Sequence, residues 1–189
     1  MIFLFRGERN YLQGSDFLIY VEKFLKEKKF DSLNLICKDF INTKPIINSS
    51  FHTKGKELTP KNYSVLCVIE TKNKKICIKF RNSKKKIKNH FPYDDKLFYD
   101  NFRVSKKNAY CNFLTTFTDI EILIALTKFW HEKKFKKKGK WIFNRLKLLK
   151  PFKNKKNKNF KIKNIYNKFN KYTVSTIIQN KKKIGEIYL

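Results

Sequence analysis

The amino-acid sequence predicts an α+β protein made of two β-α-β-β-β-β repeats, with an antiparallel sheet wrapping one helix in each half. Two segments, YSVLCVIETKNKKICIKF at 63–80 and YTVSTIIQNKKKIGEIYL at 172–189, share one pattern. Each is an apolar run opening with Tyr, a lysine-rich turn and a second apolar run. The halves, 1–81 and 108–189, are nearly equal in length and repeat the order of elements. We therefore predict an internal duplication.

The first half begins with a short apolar run at 2–6, which predicts a strand. Gly14-Ser15-Asp16 then predicts a helix start with Ser15 or Asp16 as N-cap, because apolar residues recur at helical spacing from Phe17. In the last strand predicted for this half, at 75–81, apolar residues on one side alternate with residues on the other side, which is the pattern of a half-buried strand. The four strands that complete this half are predicted at 33–41, 46–53, 63–70 and 75–81.

The second half follows a basic linker predicted at 82–107, with one helical turn after Pro92. A strand at 109–114 leads to Thr118-Asp119-Ile120-Glu121, which is a capping box and predicts a helix through about residue 135. The four remaining strands are predicted at 141–149, 160–166, 172–179 and 183–189.

Positive charge dominates the composition, with 45 Lys and Arg against 15 Asp and Glu and a net charge of +30. Such a charge attracts polyanions such as nucleic acid, an anionic membrane or an acidic partner. A/T-rich codons offer a second explanation, because they favour the abundant Lys, Asn, Ile and Phe and disfavour Arg, Gly, Pro and Ala. The lysines cluster in runs at predicted turns, and arginine, which makes bidentate phosphate contacts, is rare. Both explanations stay open.

The four cysteines, Cys37, Cys67, Cys77 and Cys111, occur singly, so we predict no zinc site, and no cofactor is expected. Cys37, Cys67 and Cys77 lie in apolar runs and are predicted to be reduced core residues. The first apolar stretch is too short for a signal peptide. A bilayer span needs about eighteen apolar residues in a row, and the sequence has no such run. We therefore expect a soluble, cytoplasmic protein with no membrane span.

The element order and the internal repeat resemble hotdog-fold proteins, in a double-hotdog arrangement over nearly the whole chain. Members of that fold mostly handle acyl groups on coenzyme A or acyl carrier protein, as thioesterases or dehydratases. The resemblance implies a protein of fatty acid or polyketide metabolism that binds or processes an acyl thioester, with a homodimer as one assembly. His90-Phe91-Pro92 is similar to the HFP of bacterial acyl-carrier dehydratases, but no PG-rich loop follows it. We interpret that tripeptide as part of the linker.

Three residues are candidate catalytic groups under this resemblance, namely Asp16, His52 and Glu121. A dehydratase needs a His near a carboxylate, and a thioesterase can use one carboxylate to activate water. Each residue has a structural alternative, since Asp16 suits an N-cap, Glu121 suits the capping box and His52 suits a polar strand position. His131 is predicted to be structural.

The segment RGERNYLQG at 6–14 holds two of the few arginines and two of the five glycines. A bias towards A/T-rich codons, here called codon drift, would tend to remove both residue types. Arg6 and Arg9, beside a helix N-terminus, are candidates to bind the phosphate of a coenzyme or of phosphopantetheine. A turn that needs positive φ explains Gly7 and Gly14 without a functional role.

Two other functions compete with the acyl-thioester hypothesis. One is an RNA- or ribosome-associated protein that binds nucleic acid through lysine-rich turns and aromatic side chains. Its candidate aromatics are Tyr11, Tyr93, Phe98 and Tyr99. No RNP1, KH, helix-turn-helix or zinc-finger pattern is present in the sequence. The other is a non-catalytic partner subunit. Because the arginines and glycines survive near the first helix, the sequence favours the acyl-thioester hypothesis.

Overall fold

The structure is a computed structural model that describes residues 3–25, 29–53, 61–135, 142–153, 155–168 and 172–189. These residues form an α+β fold in which almost all strand pairs are antiparallel. The helices are α1 (Gly14–Leu25), a 3-10 helix (Asp95–Asn101) and α2 (Asp119–Lys134). The strands are β1 (Phe5–Arg6), β2 (Ser32–Cys37), β3 (Ile46–Thr53), β4 (Val65–Glu70), β5 (Lys74–Arg81), β6 (His90–Phe91), β7 (Phe102–Val104), β8 (Asn108–Leu114), β9 (Arg145–Leu148), β10 (Asn157–Lys168), β11 (Tyr172–Gln179) and β12 (Lys182–Tyr188).

The helices in the described ranges are too short or too polar to cross a membrane. The chain divides into two compact units, one of residues 1–94 with 144–150 and the other of residues 95–143 with 151–189. The division falls inside the segment predicted as a linker, at 82–107, and it assigns β9 to the first unit.

In the first unit, five antiparallel strands are ordered β3-β5-β4-β2-β9. Ile76, Ile78 and Phe80 are buried on one face of β5, as their alternation predicts. Helix α1 packs on that face, where the rings of Phe17 and Tyr20 lie 5.0 and 5.5 Å from the ring of Phe80. The apolar side of the helix therefore covers one face of this sheet.

In the second unit, five antiparallel strands are ordered β12-β11-β10-β8-β7, and α2 covers one face of them. The helix begins after Thr118 with the predicted capping box, which is confirmed. The Thr118 amide donates to Glu121 Oε2 at 2.7 Å, and the Thr118 hydroxyl donates to the same oxygen at 2.6 Å. A helix on the surface of a protein buries only one apolar stripe. In α2, by contrast, every residue from Asp119 to Thr127 is buried, so the helix is covered on all sides there.

The two hairpins that suggested the duplication are both formed, but they are built differently. Three residues, 71–73, connect β4 to β5, whereas β11 and β12 are joined by Asn180 and Lys181, whose φ angles of 50° and 64° give a tight two-residue turn. Val65 lies opposite Phe80, but Val174, its counterpart in the sequence alignment, lies opposite Tyr188 rather than Leu189. The shorter turn and a bulge at 177–178 account for this shift of one residue.

Several sequence expectations differ from the structure in detail, and two strands predicted at 33–41 and 160–166 are formed at 32–37 and 157–168. Asp16 was expected at or beside the N-cap, but it stands at the third position of α1, because the helix starts at Gly14. The predicted linker contains β6, which pairs in parallel with β1. The strand predicted at 141–149 is formed at 145–148, and its first predicted residue, Trp141, lies outside the described residues.

Candidate functional site

Arg6 and Asp16, predicted to bind phosphate and to act in catalysis, are brought together by the structure in one buried ion pair. Arg6 Nε donates to Asp16 Oδ1 at 2.5 Å, and the Gln13 amide donates to Asp16 Oδ2 at 2.7 Å. The Arg6 guanidinium also lies 5.1 Å from the ring centroid of Tyr93. Asp16 thus reaches back to the residue before α1, as the third residue of a capping box does. These contacts give both residues a structural role.

Arg9 lies next to this pair. With the amide of Gln13 oriented so that its oxygen faces Arg9, that oxygen accepts from Nη1 at 2.8 Å and from Nε at 2.9 Å. Gly7 between the two arginines has a φ of +57°, so the positive φ expected for it is confirmed. A Cβ at this position would lie 2.6 Å from the carbonyl oxygen of Tyr93. Close backbone approach therefore explains this glycine.

His90 belongs to the same cluster, although the sequence indicated only a linker there. Its Nδ1 hydrogen-bonds the Gly7 carbonyl at 2.7 Å, and its ring lies 5.3 Å from that of Phe5. The segment that carries the HFP tripeptide is therefore docked on the strand that precedes α1.

His52 and Glu121 have other partners. His52 lies half-buried on β3, where its Nε2 is 2.9 Å from the Ser50 hydroxyl. Glu121 stands in the second unit, where its carboxylate accepts the two Thr118 bonds of the capping box. Their proposed catalytic roles stay predictions, and the contacts recorded here are those of strand and helix-cap residues.

A buried charge network, which sequence reasoning missed, lies at the start of α2. Lys158 Nζ is 2.7 Å from Asp119 Oδ1, and Gln179 Nε2 donates to Asp119 Oδ2 at 3.1 Å. Lys158 and Asp119 are each 1% exposed. Lys158 shares the helix-facing side of β10 with Phe160 and Ile162, and this alternation is the signal that could have placed a lysine inside.

His131 is a fully buried histidine on α2. Its Nδ1 is 2.6 Å from the Thr127 carbonyl and its Nε2 is 2.6 Å from the Thr173 hydroxyl. A neutral ring that donates from Nδ1 and accepts at Nε2 satisfies both bonds. Burial lowers the pKa of His131 to about 4, although the hydrogen bond that its ring donates to the Thr127 carbonyl acts in the opposite direction and raises the pKa. The ring is therefore neutral at physiological pH, which suits the structural role predicted for it.

The cysteines are reduced, as the sequence predicts. Burial raises the pKa of Cys37 to about 12 and that of Cys111 to about 11, and it also raises the pKa values of Cys67 and Cys77. Because the thiolate is the reactive form, these thiols are poor nucleophiles.

The side of the second sheet that faces away from α2 is a different kind of surface. We call it the outer face, and strand register defines it, because residues directly opposite each other in a ladder share a face. Tyr110 lies opposite Arg103 on one side and Lys161 on the other. Lys161 lies opposite Ile178, which lies opposite Lys183. One row of side chains thus crosses all five strands.

Further lysines and tyrosines lie on the rows towards the end of β10. Lys163 lies opposite Thr176, and beyond a bulge at 164–166 the outer face carries Tyr166 and Lys168. Tyr172 lies opposite Lys168. The residues that register places on the outer face are Arg103, Asn108, Tyr110, Asn112, Leu114, Asn157, Asn159, Lys161, Lys163, Tyr166, Lys168, Tyr172, Val174, Thr176, Ile178, Lys183, Glu186 and Tyr188.

The charge of the outer face is strongly positive. The side chains of Lys161, Lys163 and Lys168 are exposed, and Arg103 is exposed while donating to the carbonyls of Asp100 and Phe102. Glu186 is the carboxylate that the described strands place on this face, and its oxygens bind Lys183 at 2.7 Å and the Tyr188 hydroxyl at 2.9 Å. The sequence drew attention to lysine-rich turns and to other aromatics, because register between distant strands is not visible in it.

Comparison with protein-family models, with curated proteins and with solved structures found no match for this chain.

Proposed function

We propose that this protein binds nucleic acid through the outer face of the second sheet. The observation that carries the proposal is the set of cations Arg103, Lys161, Lys163 and Lys168 on the face that α2 leaves uncovered. Lys161, Lys163 and Lys168 follow one another along β10, and Arg103 lies two strands away, about 10 Å across the sheet, so the four form one group of cations. Such a group attracts a phosphate backbone from solution and releases its counterions on contact.

The contacts of the predicted catalytic carboxylates also favour this function. Asp16 accepts from Arg6 and from the Gln13 amide, and Glu121 accepts from Thr118. Both carboxylates are buried, so a general base at either position would first have to leave these bonds. The outer face needs no such rearrangement.

Salt-dependent binding tests the proposal. Fluorescence anisotropy of a labelled oligonucleotide, titrated with protein between about 50 and 200 mM salt, gives the slope of log Kd against log salt. Replacing Lys161 and Lys163 by Gln should lower the slope magnitude by about 1.4 if two phosphate contacts to a single strand are lost. The matched control replaces Lys72 and Lys74, exposed lysines at the β4–β5 turn, and removes the same charge. Equal losses in the two variants would refute the outer face as the site.

A second candidate function, binding of an acyl thioester, is favoured by one observation at α1. The hydroxyl of Ser15 is buried at the second position of this helix, and it has no hydrogen-bond partner among the described residues. A helix N-terminus with an unsatisfied hydroxyl suits a thioester carbonyl or a phosphate oxygen. Native mass spectrometry of protein recovered from its own host tests this, since an adduct of acyl-coenzyme or carrier-protein mass supports it and bare protein opposes it.

The double-hotdog arrangement is the architectural part of that second candidate. It is supported by the presence, in each unit, of one α-helix on one face of five antiparallel strands. The strand neighbours differ, however, since β3 lies beside β5 whereas its counterpart β10 lies beside β11. A duplication would therefore require that strand pairing changed in one copy after the two diverged.

A further inference from the structure

The outer face carries a cluster of three tyrosines beside its cations. The ring centroids of Tyr166 and Tyr172 are 6.4 Å apart with planes at 71°, and those of Tyr172 and Tyr188 are 6.3 Å apart with planes at 48°. The three side chains come from three neighbouring strands and so extend across the sheet. Tyrosine combines a large flat ring with two side-chain torsions, so such a cluster is a pre-organised surface for another flat ring.

Tyr110 adds a fourth ring on β8, so four of the nine tyrosines in the chain share this face. Tyr110 and Tyr166 are 47% and 50% exposed, which leaves ring surface available for contact with a ligand. Tyr110 is opposite Lys161, Tyr172 is opposite Lys168, and Tyr166 stands between Lys163 and Lys168 on the outer face of β10. The remaining tyrosine, Tyr188, donates to Glu186. A ligand that fits this face therefore presents flat rings and negative charges alternately.

A single strand of nucleic acid presents that alternation, and a duplex does not. In a duplex the base faces are stacked on each other, and the major groove admits a helix or a two-stranded ribbon but not a five-stranded sheet. In a single strand the bases can separate and stack on aromatic side chains while lysines contact the backbone. We propose, on the basis of the proposed function, that the ligand of the outer face is single-stranded nucleic acid, with bases stacked on Tyr110 and on the Tyr166 cluster.

Stacking predicts tolerance of base sequence, because every base has a π-face. The exposed asparagines Asn112, Asn157 and Asn159 on this face can hydrogen-bond base edges, so a preference for one base over another would come from them and not from the rings. Selectivity between single and double strands is therefore the property that this geometry predicts.

The test compares labelled oligo-U and oligo-dT of about twelve nucleotides with a duplex of the same length, using anisotropy at one salt concentration. The wild-type protein should bind at least one single strand about tenfold more tightly than the duplex. Replacing Tyr110 and Tyr166 by Leu should weaken single-strand binding by at least about tenfold, since each stacked base contributes measurably to affinity. Replacing both by Phe keeps the rings and should preserve binding.

The outcomes separate the inference from the function on which it rests. Duplex binding as tight as single-strand binding, unchanged by the two Leu substitutions, would overturn the inference. The proposed function would still stand if that binding fell in the variant with Gln at Lys161 and Lys163. An absence of binding to every oligonucleotide would overturn both. Circular dichroism of the Leu and Phe variants establishes that they are folded before binding is measured.

Discussion

Removal of the buried ammonium of Lys158 should destabilise the second unit strongly. The Lys158→Met variant keeps the length of the side chain but leaves the carboxylate of Asp119, which is 1% exposed, without the cation 2.7 Å from it. Breaking a buried ion pair on one side costs about 3–5 kcal/mol. The hydrogen bond from Gln179 still stabilises the carboxylate, so we expect the free energy of unfolding to fall by about 3 kcal/mol, the lower end of that range. For a chain of 189 residues this corresponds to a fall in Tm of about 6–12 °C.

Thermal and urea unfolding followed by circular dichroism measure this cost. The control is Lys161→Met, three residues further along β10, where the lysine is exposed on the outer face and the expected change is within about 0.5 kcal/mol. Adding Asp119→Asn to Lys158→Met removes the isolated charge and should recover part of the loss, giving a coupling free energy of about 1 kcal/mol or more. If Lys158→Met is no more destabilising than Lys161→Met, the ion pair is not buried as described.

Three other predictions follow from the described contacts. His131 is neutral when folded, with a pKa near 4 against 6.5 for the unfolded chain, so stability is complete above pH 6.5 and falls as the pH drops towards 4. The free energy of unfolding falls by about 3 kcal/mol in total over this range. If the urea midpoint of a His131→Gln variant fell with pH as much as that of the wild-type protein, the prediction would be contradicted. Gly7→Ala should cost about 2 kcal/mol in urea unfolding because of the positive φ and the nearby Tyr93 carbonyl, and a neutral result would contradict that geometry. A thiol reagent should modify Cys111 in the native protein at pH 8 far more slowly than in urea, and equal rates would show that the site is open.

Local features of the fold could be predicted from the sequence. The capping box at Thr118 and Glu121 was predicted because its four residues determine it, and the predicted bounds of β3 and β11 agree with the structure. The N-cap was placed two or three positions too late, because Ser15 and Asp16 are both good cap residues and the residue that fills the N-cap position, Gln13, is not. Short-range chemistry therefore locates this helix start to within two or three residues.

The candidate site could not be predicted, because it depends on pairing between distant parts of the chain. Tyr110 and Lys161 are fifty-one residues apart in sequence, and neither stands out from its neighbours until β8 and β10 are aligned. Strand order is equally hidden, since two halves with the same order of elements pair their third strands differently. The parallel pairing of β1 with β6 placed His90 against Gly7, which no local pattern indicated.

The positions of the carboxylates show which lysines and arginines have their charge balanced in the fold. A bias towards A/T-rich codons raises the number of lysines in a chain, but it does not determine which positions are acidic. Several of the described acidic residues each lie within 4 Å of a cation whose charge they balance. The pairs are Asp16 with Arg6, Glu70 with Lys75, Asp95 with Lys128, Asp119 with Lys158, and Glu186 with Lys183. These carboxylates neutralise cations inside the units and beside Tyr188, while Lys161, Lys163 and Lys168 stay exposed on the outer face. If drift alone had placed those three lysines, replacing them by Gln would alter oligonucleotide binding no more than replacing the lysines of the β4–β5 turn.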